Sequence, residues 1–165
     1  MTKHEFNQSA DRAEEQEAQW QAFYKAIGAR QQEKVTDKAR QTKGIDRLVW
    51  FPKIGKVLAV DEKVRDKDYG DLLVEVFSDL ERHKPGWSVN QDYQTDVVAY
   101  MIKPTRTVFL IDYKSLRRAA RMHWKVWAKK GFRDTHNTNW ITRNVSVSWS
   151  ELAKCGVKFK EISHV

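Results

Sequence analysis

The sequence predicts an α/β (α+β) domain in which one mixed sheet is flanked by helices. Three observations carry that prediction. Between Ser9 and Ile27 the apolar residues recur at three- and four-residue spacing, the period of a helix. Between Asp46 and Tyr113 the period changes, and five segments rich in strand-forming residues are separated by turn formers. After Ser115 the helical period returns. A helix, a run of strands and a further helix bury their apolar faces best as a sheet covered by helices.

Taken in order, residues 1–9 are expected to be a flexible N-terminus and residues 10–165 a single domain, a size that supports one core. The first helix should start at Ser9 or Ala10, with Ser9 as its cap, and bury Trp20, Phe23, Tyr24 and Ile27. Gly28 should end it. Arg30 to Lys43 is polar and charged, and reads as a short second helix or an exposed linker. Strands are expected over 46–51, 56–65, 71–79, 96–102 and 107–113, with turns at Pro52 to Gly55, Asp66 to Gly70 and Lys103 to Thr105. Residues 81–95 read as a loop holding Pro85, Gly86 and Trp87. A helix capped by Ser115 runs to about Lys130 and is stopped by Gly131. Residues 132–143 read as a loop, 145–148 as a short edge strand, and 149–155 as a last helical turn.

The composition narrows the function. The hydrophobic fraction of 41% and seven Trp argue for a packed body rather than disorder. A net charge of +8 and a pI near 9.6 favour polyanionic partners, nucleic acid or an anionic membrane surface. The charge is uneven: residues 1–20 carry five acids against Lys3 and Arg12, whereas residues 103–165 carry fourteen Lys and Arg against four acids. The single Cys155 excludes an internal disulfide and a cysteine-rich zinc site. No run approaches the ~18 apolar residues of a membrane span, and the first residues lack the apolar core of a signal peptide. A reducing cytoplasm and no membrane are the expectation. No Gly-rich phosphate loop, no HExxH and no nucleophile elbow occurs.

The segment GIDRLVWFPKIGKVLAVDEK, residues 44–63, holds the chemistry. Asp46 heads one strand, and Asp61 and Lys63 stand near the end of the next. Residues i and i+2 of a strand share a face, so Asp61 and Lys63 point the same way. If the two strands form a hairpin, Asp46 approaches Asp61. Two carboxylates beside one ammonium can hold a hard divalent cation and steady a water next to a phosphate.

Asp46 in GID, followed after fourteen residues by Asp61-Glu62-Lys63 in VDEK, resembles the PD-(D/E)XK nuclease superfamily. The spelling is similar to the Holliday-junction-resolvase-like branch and to small phage and prophage proteins of that superfamily. The likeness covers roughly residues 44–80. It implies a restriction-endonuclease-like fold and a metal-dependent DNA endonuclease, structure-selective in the manner of junction resolution. It implies Asp46, Asp61 and Lys63 as catalytic residues. It also implies Mg2+ or Mn2+ held by Asp46, Asp61 and the backbone carbonyl of Glu62, and pairing of two copies. Two features depart from the pattern. The middle residue of the acid-x-Lys triplet is usually apolar, whereas here it is Glu62, which needs a partner or an open face. Many members add a Glu from the first helix; Glu14 and Glu17 are available, and Glu75 on the third strand is a further carboxylate.

The helix after Ser115 has two faces. Leu116, Ala119, Ala120, His123, Trp124 and Trp127 form the stripe expected to pack on the sheet. Arg117, Arg121, Lys125 and Lys129 recur at four-residue spacing with Arg118 alongside, and no acid interrupts them. Such a ladder can track phosphates; Arg117, Arg121 and Lys125, with Arg65, are the expected DNA contacts, and a solvated helix face is the plain alternative. Trp87 reads either as a base-stacking loop residue or as a cap on the core. Two rivals to the enzyme stand: a nucleic-acid-binding protein that keeps the scaffold without turnover, and a phage-type factor that acts on another protein.

Overall fold

The structure, a computed structural model, describes residues 3–163. Helix α1 (Lys3–Ala26) begins before the expected Ser9 cap. The reason is local: no Gly or Pro interrupts the sequence before Gly28. Gly28, at φ 90°, turns the chain out of the helix. Its N–H donates to Lys25 O at 3.1 Å and the Ala29 N–H donates to Tyr24 O at 2.9 Å, the paired closure of a helix C-terminus that a left-handed glycine allows.

Strand β1 (Gln31–Lys34) and a short α2 (Lys38–Gln41), capped by Asp37, follow. A short helix or an exposed linker was expected here; the strand was not. The hairpin comes next: β2 (Arg47–Phe51), a tight turn, and β3 (Lys56–Arg65), antiparallel with Arg47 opposite Val60. Strand β4 (Asp71–Asp79) and the two-residue β5 (Lys84–Pro85) precede β6 (Val97–Ile102) and β7 (Thr107–Asp112). Helix α3 (Tyr113–Trp127) is capped by Asp112, whose carboxylate accepts the Ser115 N–H at 2.8 Å, so the cap stands three residues before the Ser115 expected. The chain ends with β8 (Arg133–His136), β9 (Ile141–Ser148), α4 (Trp149–Lys154) and β10 (Phe159–Ser163).

The strands form two sheets, not one. The larger has the order β1-β2-β3-β6-β7-β10, with β3 and β6 parallel and its other pairs antiparallel. The smaller has the order β5-β4-β9-β8. Strand β4, expected in one sheet with β3, belongs instead to the second and pairs with β9. Segment 132–143, expected as a loop, contributes β8 and the start of β9; β9 is interior to its sheet, not an edge.

Register decides which residues share a face. Asp61 lies opposite Val98 and Lys63 opposite Tyr100 across the β3–β6 pair. Val98, Tyr100 and Ile102 join the core formed with α3 (Leu116, Ala119, Ala120, Trp127) and β4 (Leu72, Val74, Val76). Asp61 and Lys63 therefore stand on the α3 and β4 side. The alternate residues Val60 and Ala99 face α1, where Trp20, Phe23 and Tyr24 are each 1% exposed. Burying Phe23 alone is worth about 2–3 kcal/mol of transfer free energy, and the α1 stripe buries three aromatics together.

Candidate active site

Asp46 sits one residue ahead of β2, where the backbone pins it from two sides. Its N–H donates to Val60 O at 2.9 Å, and its C=O accepts the Val35 N–H at 2.8 Å. Strand β2 pairs with β3 no further than Arg47–Val60, so the β3 edge beyond Val60 has no strand partner on this side. Asp46 takes that edge with its side chain: Oδ2 accepts the Glu62 N–H at 2.9 Å. In an extended strand the carbonyl of a residue projects to the same edge as its N–H, which brings the Glu62 C=O to the Asp46 side.

Asp61 is 1% exposed. The Lys63 ammonium donates to its Oδ1, while its Oδ2 is buried without a hydrogen-bond partner. Burial pushes the Asp61 carboxyl up to about 7; Lys63 pulls against that shift, and the charge of the Asp46 carboxylate adds to it. The register that sets Arg47 opposite Val60 places Asp46 across from Asp61 at the end of the hairpin. For Lys63, burial disfavours the ammonium, yet Asp61 and then Asp46 outweigh it and leave the pKa raised. The Lys63 Nζ lies 5.8 Å from the centre of the Trp87 ring. Trp87 is 6% exposed and belongs to the core, so it is a wall beneath Lys63 rather than a stacking platform.

Glu75 approaches from β4. Its pKa is raised by burial, against the pull of the Trp87 N–H and the Lys63 charge. Its Oε1 accepts the Trp87 N–H at 3.2 Å, which ties it to the loop rather than to the Asp pair. Among the described residues no three Asp, Glu, His or Cys side chains converge as a metal-ligand set, so Glu75 is not a third ligand in this geometry. The expectation of a cation rests on fewer groups, and these fit it: the unpartnered Asp61 Oδ2, the Asp46 carboxylate and the Glu62 carbonyl are hard oxygen donors suited to Mg2+ or Mn2+.

Sequence reasoning missed Tyr93. Its loop is docked on the Asp46 segment: the Gln94 N–H donates to Lys43 O at 2.9 Å and Thr95 Oγ1 to Gly44 O at 2.5 Å. Gly44 holds φ +74°, and a Cβ there would overlap the Tyr93 ring. Burial raises the Tyr93 pKa, with the charges of Asp61, Glu75 and Asp46 adding and Lys63 opposing. The phenol therefore stays protonated and is a donor. Tyr93 lies in a loop with no period and no motif, so no sequence signal marks it.

The other face of β3 solves the Glu62 problem. Glu62 Oε1 accepts from Arg47 Nε at 2.7 Å, and Arg47 Nη2 donates to both Glu17 oxygens at 2.9 Å. Lys34 reaches Glu17 Oε2 at 3.0 Å. Glu17 is thus bound to Arg47 on the α1 face, and Glu14 is exposed; neither helix-1 carboxylate joins Asp61.

Among the expected DNA contacts, Arg65 is already engaged. Its guanidinium holds the Asp71 carboxylate, the Asp71 carbonyl at 3.2 Å and the Tyr100 hydroxyl at 3.2 Å, bridging the two sheets. Arg117 is half-buried and donates to Gln91 O at 3.3 Å. Arg121 and Lys125 are exposed, and His123 packs beside Trp127, as the stripe predicts.

A cleft of about 320 Å3 between the sheets is lined by Lys63, Arg65, Glu75, Tyr100, Thr135 and Asn144. A larger, mainly apolar cleft of about 580 Å3 opens on the α1 face between Tyr24, Phe51, Leu110 and Phe159, away from these charges. No helix among the described residues is long and apolar enough to cross a membrane. No family model, no curated protein and no solved structure matches the chain.

Proposed function

We propose that the chain is a metal-dependent DNA endonuclease of the PD-(D/E)XK superfamily, acting in a reducing cytoplasm on branched or otherwise distorted DNA, with two copies serving two strands. The single observation that supports this reading is the convergence of Asp46 and Asp61 beside Lys63, with one buried Asp61 oxygen left without a partner. Bound between Asp46 and Asp61, Mg2+ or Mn2+ would lower the pKa of water and offset charge on the phosphate. Lys63 orients the attacking water and then donates to the charge that develops on the phosphoryl oxygens. Tyr93, a protonated phenol packed against Gly44 beside the Asp46 segment, donates to a phosphate oxygen and so positions the diester. Glu62 serves through its backbone, its side chain being held by Arg47 on the far face.

Nicking of supercoiled plasmid in Mg2+ and in EDTA is the test. The wild type is expected to nick in Mg2+ only, and Asp61→Ala and Lys63→Ala to lose at least ~100-fold. Equal nicking by wild type and Asp61→Ala would falsify the assignment. One observation favours the second reading, binding without turnover: the Lys63 ammonium already closes on Asp61, and no third acid completes a ligand set among the described residues. That reading predicts salt-dependent DNA binding by the wild type with no cutting of any DNA form.

A further inference from the structure

The first turns of α3 and the segment entering β10 enclose a third cleft, of about 740 Å3, outside the Asp46–Asp61 pocket. Five cations line it: Lys114, Arg117, Arg118, Arg121 and Lys158. Lys158 is far from the others in sequence and is brought there by the backbone. Its N–H donates to Ser115 Oγ at 3.0 Å, and its carbonyl accepts the Asp112 N–H at 2.9 Å. The one acid in the lining, Asp112, has its carboxylate turned to the Ser115 N–H as the helix cap. No ion pair holds any of the five cations among the described residues, whereas Arg47, Arg65, Arg82 and Arg143 all have carboxylate partners. Five like charges in one concavity against the single carboxylate of Asp112 call for an anion of several charges.

A chain of ring contacts leads from the cleft toward the candidate active site. The Arg117 guanidinium lies 5.4 Å from the centre of the Tyr113 ring, and that ring lies 6.1 Å from Tyr93. The Tyr113 hydroxyl donates to Trp87 O at 2.7 Å, fixing the loop that carries both Trp87 and Tyr93. A strand whose phosphate lies at Lys63 can therefore run over Arg117 into the cleft.

We infer that the cleft formed by Lys114, Arg118 and Lys158, together with Arg117 and Arg121, is a backbone-phosphate clamp for the strand that leaves the catalytic pocket. The inference rests on the nuclease reading for its substrate and not for its charge. It adds Lys114, Arg118 and Lys158 to the expected contacts, and it takes phosphates without reading bases.

The experiment measures binding of a fluorescent 30-base-pair duplex by anisotropy in Ca2+ across a salt series, for the wild type and for Lys114→Ala/Arg118→Ala/Lys158→Ala. All three side chains are exposed, so the fold should survive, and melting followed by circular dichroism checks it. Each lost phosphate contact lowers the slope of log K against log salt by about 0.9, so the triple variant should lose between ~2 and ~3 from the slope and bind at least ~10-fold more weakly at 100 mM salt. A charge reversal, Arg118→Glu, should do the same in part. An unchanged slope in both variants overturns the clamp, as does saturation of the cleft by AMP or pyrophosphate at concentrations that leave duplex binding intact. Plasmid nicking separates the two claims. A wild type that nicks, with a triple variant of unchanged slope, removes the clamp and keeps the nuclease. A wild type that never nicks, with a variant of reduced slope, keeps the clamp and removes the nuclease.

Discussion

Asp61 makes the cation-free protein sensitive to pH in a direction opposite to that of an ordinary salt-bridged carboxylate. Its pKa is pushed from 3.8 to about 7 on folding, mainly by burial. The folded state then holds a proton that the unfolded state has released throughout the interval between those values. Stability from this group is fully present below pH 3.8 and is lost as pH rises through about 7. At 1.36 kcal/mol per unit, the change across the interval is about 4 kcal/mol. For a chain of this length that corresponds to ~8–16 °C in melting temperature. Other groups titrate over the same range, so Asp61→Asn is the reference: its amide carries no proton to lose. Losing the Lys63 pair lowers the variant's curve by a constant, since Lys63 keeps Asp46 as a counter-charge. The assay is thermal melting of both proteins in EDTA from pH 4 to pH 8. The difference between variant and wild type should move in the variant's favour by several kcal/mol. Adding Mg2+ should then recover stability in the wild type, more at pH 8 than at pH 5, because the ion competes with the proton for the same oxygens. In Asp61→Asn that recovery should vanish. Parallel pH curves for the two proteins, or a Mg2+ effect equal in both, would refute the picture of a buried, cation-ready carboxylate.

Two further outcomes follow from the packing. Arg47→Ala leaves Glu17 and Glu62 facing each other without their cation, and urea unfolding at pH 7 should show a loss of about 3–5 kcal/mol at a residue 1% exposed. Joint replacement by Arg47→Met, Glu17→Gln and Glu62→Leu should restore most of it, and a loss under 1 kcal/mol for the single variant would mean the network does not hold α1 to β3. Gly44→Ala forces a side chain into a left-handed position and onto the Tyr93 ring; it should cost about 1–3 kcal/mol and lower nicking further than the stability loss explains. Normal turnover in that variant would detach Tyr93 from the chemistry.

How much could be read from the chain alone depends on where each pattern comes from. Strands β3 and β4 fall where the sequence places them, at 56–65 and 71–79, because their own side chains are patterned by burial. The missed strands are of another kind. Strands β1 and β8 are polar and sit at sheet edges, with every β8 residue exposed, and β10 is the opposite edge of the larger sheet. They are strands because a neighbour offers backbone partners, and no side-chain period records that.

By itself the sequence determined the helix–strand–helix order, the hairpin that carries Asp46, Asp61 and Lys63, and the face that Asp61 and Lys63 share, since strand periodicity is a local property. Tertiary structure alone decided that β4 belongs to a second sheet, that Glu17 serves Arg47 and not Asp61, that Trp87 lines the cleft beside Lys63 while Tyr93 packs on Gly44, and that Lys158 joins the α3 cations. Those are meetings between segments tens of residues apart. They follow from how much apolar area each packing buries and which backbone groups it satisfies, and no single stretch of chain encodes that sum.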